Sequence, residues 1–534
     1  MENTIASNSA SINDYSVSVS VTAEQNEILH RPTSPPRSSP QLNEIPAALR
    51  RGTLDKNLNE FRRSKTGTPE LPHLDHRLVV ASNRVIDPGR PAAGGLAVAL
   101  GDMMRESEGL WFGWSGKTTD RQDMARVQTE SFGRTTLVQF DLSKKHHDGY
   151  YAGFANSALW PVFHDKVKLA EFDEDNFKDY ESVNKIFASE LARTIREDDI
   201  LWIHDYHLIP LAQELRSLGC KQNIGFFSHI PFPSPEVIKH IPQHRKLIES
   251  LMSYDLVGMQ CPKDVENLQR YVETEGIGHR LDDRNLEALG RKVRIQSFPI
   301  GIHVESLNTV EPNKTLDAIV GIVRNESNQR MVMVGVDRLD YTKGVPRRLK
   351  AFHELLDTYP NLLNQITLVQ IAAPTRQGIL PYARLSDKTR ALVDRINGQF
   401  GTANWKPVMY FNQSVDHDSL PEIYRMSRVG VVTPLADGMN LVAKEYIAAQ
   451  KPDDPGVLVL STGAGAASQL DHSLSVPPKD RSAIAKACAR ALSMPLEERQ
   501  WRYKKLMDNV NTEDLRWWRE TYLNALTSSF KKNS

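Results

Sequence analysis

The chain has 534 residues, with 66 Lys and Arg against 66 Asp and Glu, so its formal net charge is zero, which argues against a dedicated nucleic-acid binder. A mean hydropathy of −0.44, with no apolar run near the roughly 18 residues a membrane helix needs, argues against a membrane protein. Three cysteines (Cys220, Cys261 and Cys488) lie far apart without paired spacing, which excludes a disulfide scaffold and a zinc knuckle and fits a reducing compartment. The first residues lack a basic stretch followed by an apolar one, so no secretory signal is read and a cytoplasmic location is expected.

Residues 1–75 are rich in Ser, Thr, Asn and Pro, including PTSPPRSSP at 32–40, and their only aromatics are Tyr15 and Phe61. Such a segment buries too little apolar surface to offset its ordering entropy, so a disordered tail is expected, with a transient helix near 55–63. Its Ser-Pro pairs are candidate phosphorylation sites; a solvated tail is the plainer reading.

From His76 the texture changes. Short apolar runs at 77–83, 199–206, 223–230, 331–339, 366–374, 407–413, 429–434 and 457–462 read as strands. Helical patterns fall between them, at 95–105, after 206, at 244–253, from 346, from 386 and from 441. Continuous apolar strands alternating with helices predict parallel sheets covered on both faces. About 450 residues of this texture exceed one open sheet, so the fold class is α/β with two Rossmann-like, doubly wound domains facing across a cleft. The break is expected near FPIGI (298–302).

Ligands of such sheets bind beyond the carboxyl ends of the strands, so residues there are the candidates. Arg84 follows the first strand, and Gly94-Gly95 open a helix where backbone N–H groups can approach a phosphate. Asp205 ends the next strand, as a hydroxyl acceptor or a helix cap. His204 and His207 invite a metal reading, but no third ligand accompanies them. His229 precedes Pro231 and Pro233, a rigid turn that would hold it at the cleft. Arg338 and Lys343 bracket a strand-to-helix loop and suit a diphosphate. Asn440 reads as the N-cap of a helix whose Glu445, one turn in, can accept two ribose hydroxyls.

Ten motifs run in order, within a resemblance that covers roughly residues 77–530: SNR (82–84), AGGLA (93–97), LWFGWSG (110–116), YYxxFxNxxLWPxFH (150–164), WIHDYHLIP (202–210), FFSHIPFPSPE (226–236), DRLDYTKG (337–344), APTRQG (373–378), NGQFG (397–401) and TPLADGMNLVAKEY (433–446). Together they closely resemble the trehalose-6-phosphate synthase family. The resemblance implies the two-domain architecture called GT-B, with a last helix (512–526) crossing back to the first domain. The implied divisions are a tail over 1–75, an acceptor-side domain over 76–300, a nucleotide-sugar domain over 301–511 and the crossing segment over 512–534. The implied activity is transfer of glucose, with retention, from UDP-glucose to glucose 6-phosphate.

By motif, the resemblance assigns catalysis to Arg338, Lys343, His229 and Asp437. On the donor side it adds Gly94 and Gly95 beneath the diphosphate, Val415 at the base, and Asp437, Gly438, Met439 and Asn440 at the glucose. Leu441, Val442, Ala443, Lys444 and Glu445 follow at the phosphates and ribose. The acceptor side is Arg84 and Arg376 on the 6-phosphate, Tyr151 and Trp160 shaping the pocket, and Asp205 on sugar hydroxyls.

No metal or other cofactor is expected: Asp173-Glu174-Asp175 and Asp416-His417-Asp418 read as solvated charge in loop-like sequence, and Arg338 and Lys343 supply the positive charge. No carboxylate pair suited to a covalent intermediate is found. The expected partners are small-molecule substrates, further copies of the chain in a homo-oligomer, and a separate downstream phosphatase, since no DxDGT-type string occurs. Two other readings stay open: a sister transferase acting on glycerol 3-phosphate, and a non-catalytic sensor of sugar phosphates. The donor's nucleotide base is also open.

Overall fold

The computed structural model describes residues 76–528 apart from 87–99, 102–103, 105–107, 121–126, 308–317 and 377–378. The expected tail over 1–75, the helix near 55–63 and the Gly94-Gly95 loop therefore lie outside the described residues. Of the stretch expected over 95–105, Leu100, Gly101 and Met104 are described, and all three are buried.

The first half builds a ten-stranded sheet from β1 (Leu78–Arg84), β2 (Gly109–Thr119), β3 (Gln128–Phe132), β4 (Thr135–Ser143), β5 (Ile200–His204), β6 (Asn223–Phe227), β7 (Leu256–Met259), β8 (Gly278–Arg280), β9 (Asn285–Ala288) and β10 (Arg291–Ser297). Its order is β3-β4-β2-β1-β5-β6-β7-β10-β9-β8. The run from β4 to β10 is parallel, and antiparallel strands close each edge. The second half builds a six-stranded, all-parallel sheet from β11 (Met331–Arg338), β12 (Ile366–Ala373), β13 (Val408–Phe411), β14 (Ser427–Val432), β15 (Val457–Ser461) and β16 (Leu474–Val476), ordered β13-β12-β11-β14-β15-β16. Both sheets belong to one compact unit, His73–Ser534.

Chain order reverses on either side of β1 in the first sheet and of β11 in the second. Crossovers leave in opposite directions there and open a crevice at the strands' carboxyl ends, between β1 and β5 and between β11 and β14. The strands flanking both crevices are apolar runs with almost no charge, buried on both faces as helix-covered parallel strands must be.

Five helices matter below. In α1 (Glu174–Ala192) the Asp173 side chain accepts from the Asn176 N–H, and Phe177, Tyr180, Val183 and Phe187 bury one face. The Asp173-Glu174-Asp175 string is thus a helix start, a correction to the loop reading; all three residues are exposed. Next come α2 (Val345–Thr358) and α3 (Leu380–Phe400). The latter begins at Leu380, not at 386, because Pro381 fits the first turn, where its missing N–H costs nothing. The last two are α4 (Leu441–Ala448) and α5 (Leu515–Ser528). The sequence reading lacked β2, β3, β4, β7, β8, β9, β10 and β16; in β2, Gly113 and Gly116 interrupt the apolar run, although Trp111, Phe112 and Trp114 are buried.

Two segments link the sheets, side by side: the Leu515 N–H donates to the Ile302 carbonyl at 3.1 Å. Beyond it α5 packs on the first sheet, where the Tyr522 hydroxyl donates to the Phe226 carbonyl at 2.9 Å and its ring stacks on Trp202 at 4.5 Å. No helix among the described residues is long and apolar enough to cross a membrane.

Candidate active site

The loop after β11 carries the cations. Arg338 ends the strand exposed, and its guanidinium makes no hydrogen bond to the protein. Asp340 turns the chain by accepting from the Thr342 N–H at 3.0 Å. Gly344 then takes a left-handed backbone (φ 71°) so that α2 can start, bringing the loop against the segment after β14: the Leu435 N–H donates to the Thr342 carbonyl at 2.6 Å. There Lys343 Nζ pairs with Asp437 Oδ2, which also accepts from Asn440 Nδ2 at 2.9 Å. Burial opposes the charge on Asp437, but Lys343 prevails and holds its carboxyl below the usual range.

Asn440 stands at the start of α4 in the left-handed region (φ 74°), and its side chain makes no capping bond. Asn440 thus holds the N-cap position without the side-chain bond expected of it: it orients Asp437, and among the described residues the Leu441 and Val442 N–H groups have no hydrogen-bond partner, while that of Ala443 donates to the Asn440 carbonyl at 3.3 Å. Glu445, one turn in, accepts from the Tyr424 hydroxyl at 3.3 Å, and burial raises its carboxyl. The Lys444 side chain turns away from the start of the helix. Its Nζ donates to the Ile300 carbonyl at 2.8 Å, on the linker between the sheets, and burial lowers it to about 8. Met439 and Ala443 put their side chains in the core, which leaves only their backbone to meet a ligand. Leu441, Val442 and Val415 are half-buried against that core, and in the Asp416-His417-Asp418 string Asp416 precedes a single 3-10 turn, His417–Ser419.

The first sheet supplies the opposite wall. Arg84 ends β1, exposed. Asp205 follows β5 with a strained backbone (φ 75°) and does not cap; its Oδ1 accepts from the His229 N–H at 3.1 Å. Burial raises its carboxyl to about 6. Gly438 meets His229 across the cleft so closely that any Cβ would strike the His229 carbonyl. His229 Nε2 lies 3.0 Å from His204 Nδ1, and burial pushes His229 down to about 3. Tyr151 stacks on His207 at 5.8 Å, and both ring nitrogens of His207 are buried without a hydrogen-bond partner among the described residues. Among the described residues no three His, Cys, Asp or Glu side chains converge on one point.

Trp160 lies at the centre. The Arg376 guanidinium sits 3.8 Å above its ring and that of Arg338 lies 5.8 Å away. Arg376 takes a left-handed backbone (φ 47°), donates to Asp340 Oδ2 at 2.6 Å and reaches the Tyr206 hydroxyl at 3.3 Å. Burial works against its charge, but Tyr206 and Asp340 outweigh it and hold the guanidinium protonated. Sequence reasoning weighed His204 only as a metal ligand and missed Tyr206, Asp340, Trp518 and Tyr382, whose hydroxyl accepts from Arg376 at 2.8 Å. Asp340, an acid between two cations in DRLDYTKG, was the one with a readable signal. Tyr382 and Trp518 come from distant helices that only the fold brings near.

The sequence pattern of glycosyltransferase family 20 matches residues 77–528. A trehalose-6-phosphate synthase from Sinorhizobium fredii is 42% identical over 457 residues, 85% of this chain and 98% of that protein. An α,α-trehalose-phosphate synthase (UDP-forming) from Burkholderia xenovorans, solved in complex with glucose-6-phosphate, superposes with a TM-score of 0.81 at 41% identity, over 84% of this chain and 100% of that one. An E. coli protein bound with UDP-2-fluoro glucose superposes with a TM-score of 0.80 at 40% identity, over 84% and 98%.

Proposed function

The chain belongs to glycosyltransferase family 20, and on that premise we propose that it transfers glucose from UDP-glucose to glucose 6-phosphate, giving α,α-trehalose 6-phosphate and UDP. The observation that carries this reading is the pair of guanidiniums over one indole. Arg338 and Arg376 lie 5.8 and 3.8 Å from the Trp160 ring. Two phosphorylated substrates can therefore meet there, one on each cation.

The donor's diphosphate lies on Arg338, Lys343 and the free N–H groups of α4. Glu445 takes the ribose hydroxyls and the backbone at Val415 meets the base. Asp437, oriented by Lys343 and Asn440, holds glucose hydroxyls with the oxygen those partners leave over. His229 contacts the glucose from the facing wall; for Gly94 and Gly95, outside the described residues, the role at the diphosphate rests on the motif alone. The acceptor's phosphate lies on Arg84 and Arg376, with its sugar against Tyr151, Trp160 and Asp205. Residues 76–300 thus serve the acceptor, 301–511 the nucleotide sugar, and 512–534 ties the second half to the first.

As the bond to the leaving phosphate stretches, negative charge grows on the diphosphate, and Arg338 and Lys343 gain most at that moment. Asp437 is tied into its ion pair and is not free to attack. The acceptor hydroxyl therefore adds on the face the diphosphate leaves, which takes the hydroxyl's proton; retention follows without a covalent enzyme intermediate. Because two side chains supply the cationic charge, turnover is expected to survive exhaustive EDTA treatment. Loss of activity restored by Mg²⁺ or Mn²⁺ would overturn the metal-free reading.

The same reading places the enzyme in the cytoplasm, as a homo-oligomer, ahead of a separate phosphatase. The deciding experiment offers purified protein UDP-, GDP- or ADP-glucose with glucose 6-phosphate or glycerol 3-phosphate and identifies the product. UDP-glucose with glucose 6-phosphate is the expected productive pair. Turnover confined to glycerol 3-phosphate would make the chain a sister transferase, and none with any pair would favour a sensor.

A further inference from the structure

We propose that His204 is a positioning residue that fixes the tautomer of His229, so that His229 presents Nδ1–H, a hydrogen-bond donor, to the donor sugar. The proposal rests on the reading of His229 as a contact to that sugar. His204 ends β5 fully buried, with Nδ1 3.0 Å from His229 Nε2. One of these two nitrogens carries the shared proton.

The surroundings of His204 decide which. Its other nitrogen, Nε2, is buried without a hydrogen-bond partner. The indole N–H groups of Trp202 and Trp518 are also buried without acceptors, their rings 4.7 and 6.4 Å from His204. A proton on His204 Nε2 would add a third unsatisfied donor to the same cluster. The proton therefore sits on His204 Nδ1 and points at His229 Nε2, which accepts. His229 is neutral near pH 7, so its one proton is on Nδ1, which makes no hydrogen bond to the protein and is left for a ligand. Phe227 and Trp518 pack on His229 at 4.8 and 6.2 Å and hold the pair in line, so α5, crossing from the end of the chain, helps set this tautomer.

The test uses the full chain labelled with 15N-histidine. Long-range proton–nitrogen spectra are expected to show His204 and His229 each protonated at Nδ1 and bare at Nε2, the tautomer less favoured in free imidazole. A protonated Nε2 on His229 overturns the proposal. In His204→Phe an aromatic ring still fills the space between Trp202, Phe227 and Trp518, but the donor is gone. Turnover is expected to fall about tenfold, the weight of one aligned hydrogen bond, with the melting temperature and the KM for glucose 6-phosphate unchanged. Unchanged turnover in that variant overturns the positioning role. His229→Ala is expected to lose turnover; undiminished activity there would overturn the sugar contact, while the spectra decide the tautomer on their own.

Discussion

Arg338→Ala is expected to lower kcat/KM for the nucleotide sugar by about a hundredfold or more without moving the melting temperature. Deleting one donor aimed at charge that develops in a transition state costs on the order of 10²–10³ in rate. The fold loses little, because the Arg338 side chain is exposed at the end of β11, makes no hydrogen bond or ion pair in the protein and only lies over the Trp160 ring at 5.8 Å. Lys343 is a poorer probe: it pairs with Asp437, and its removal leaves that buried carboxylate unbalanced. Steady-state kinetics with a calorimetric titration of UDP check the prediction. Both kcat and UDP affinity should fall. A variant that binds UDP weakly but keeps kcat would mean Arg338 only holds the ground state; unchanged UDP affinity would move the diphosphate elsewhere.

The parts of this site legible in the sequence are those where one short segment does the work. A strand's apolar run ends, a charged or small residue follows, and the crevice rule singles it out: Arg84, Asp205, His229 and Arg338 were read that way, while Asp437 came only with the motif. Asn440 misled because a residue type suited to capping stood where a cap belongs, while its left-handed backbone turned the side chain toward Asp437. Lys444 misled because its neighbours on α4 start a ligand-facing turn, whereas its own side chain points to Ile300 in the linker. His204 and Trp518 were illegible for a different reason. Their role is a contact between β5 and a helix more than 300 residues later, and no periodicity records such a pairing. Among the strands, β2 was lost to its glycines, and β3 and β4 to polar residues that suit an edge hairpin, half of it solvated.

Arg376→Ala is expected to do two separable kinds of damage. The first is to the acceptor: a charge-assisted contact to a phosphate dianion is worth about 1.5–3 kcal/mol, so the KM for glucose 6-phosphate should rise about tenfold or more. The second is to the fold. Arg376 pairs with Asp340 at 2.6 Å, and the Asp340 side chain is fully buried. Removing one partner of a buried pair costs about 3–5 kcal/mol, because the other charge is left without compensation. The double variant Arg376→Ala/Asp340→Asn distinguishes them. Asparagine keeps an oxygen for the Thr342 N–H but carries no charge to strand. Denaturant midpoints should therefore recover most of the lost stability, while the acceptor KM stays raised. UDP affinity should change little in either variant, because Arg338, Lys343 and α4 are untouched. If the double variant regains acceptor affinity along with stability, Arg376 acts through the fold and the acceptor's phosphate is held by Arg84 without it. If either variant weakens UDP as much as Arg338→Ala does, the division of the cleft into donor and acceptor halves is wrong.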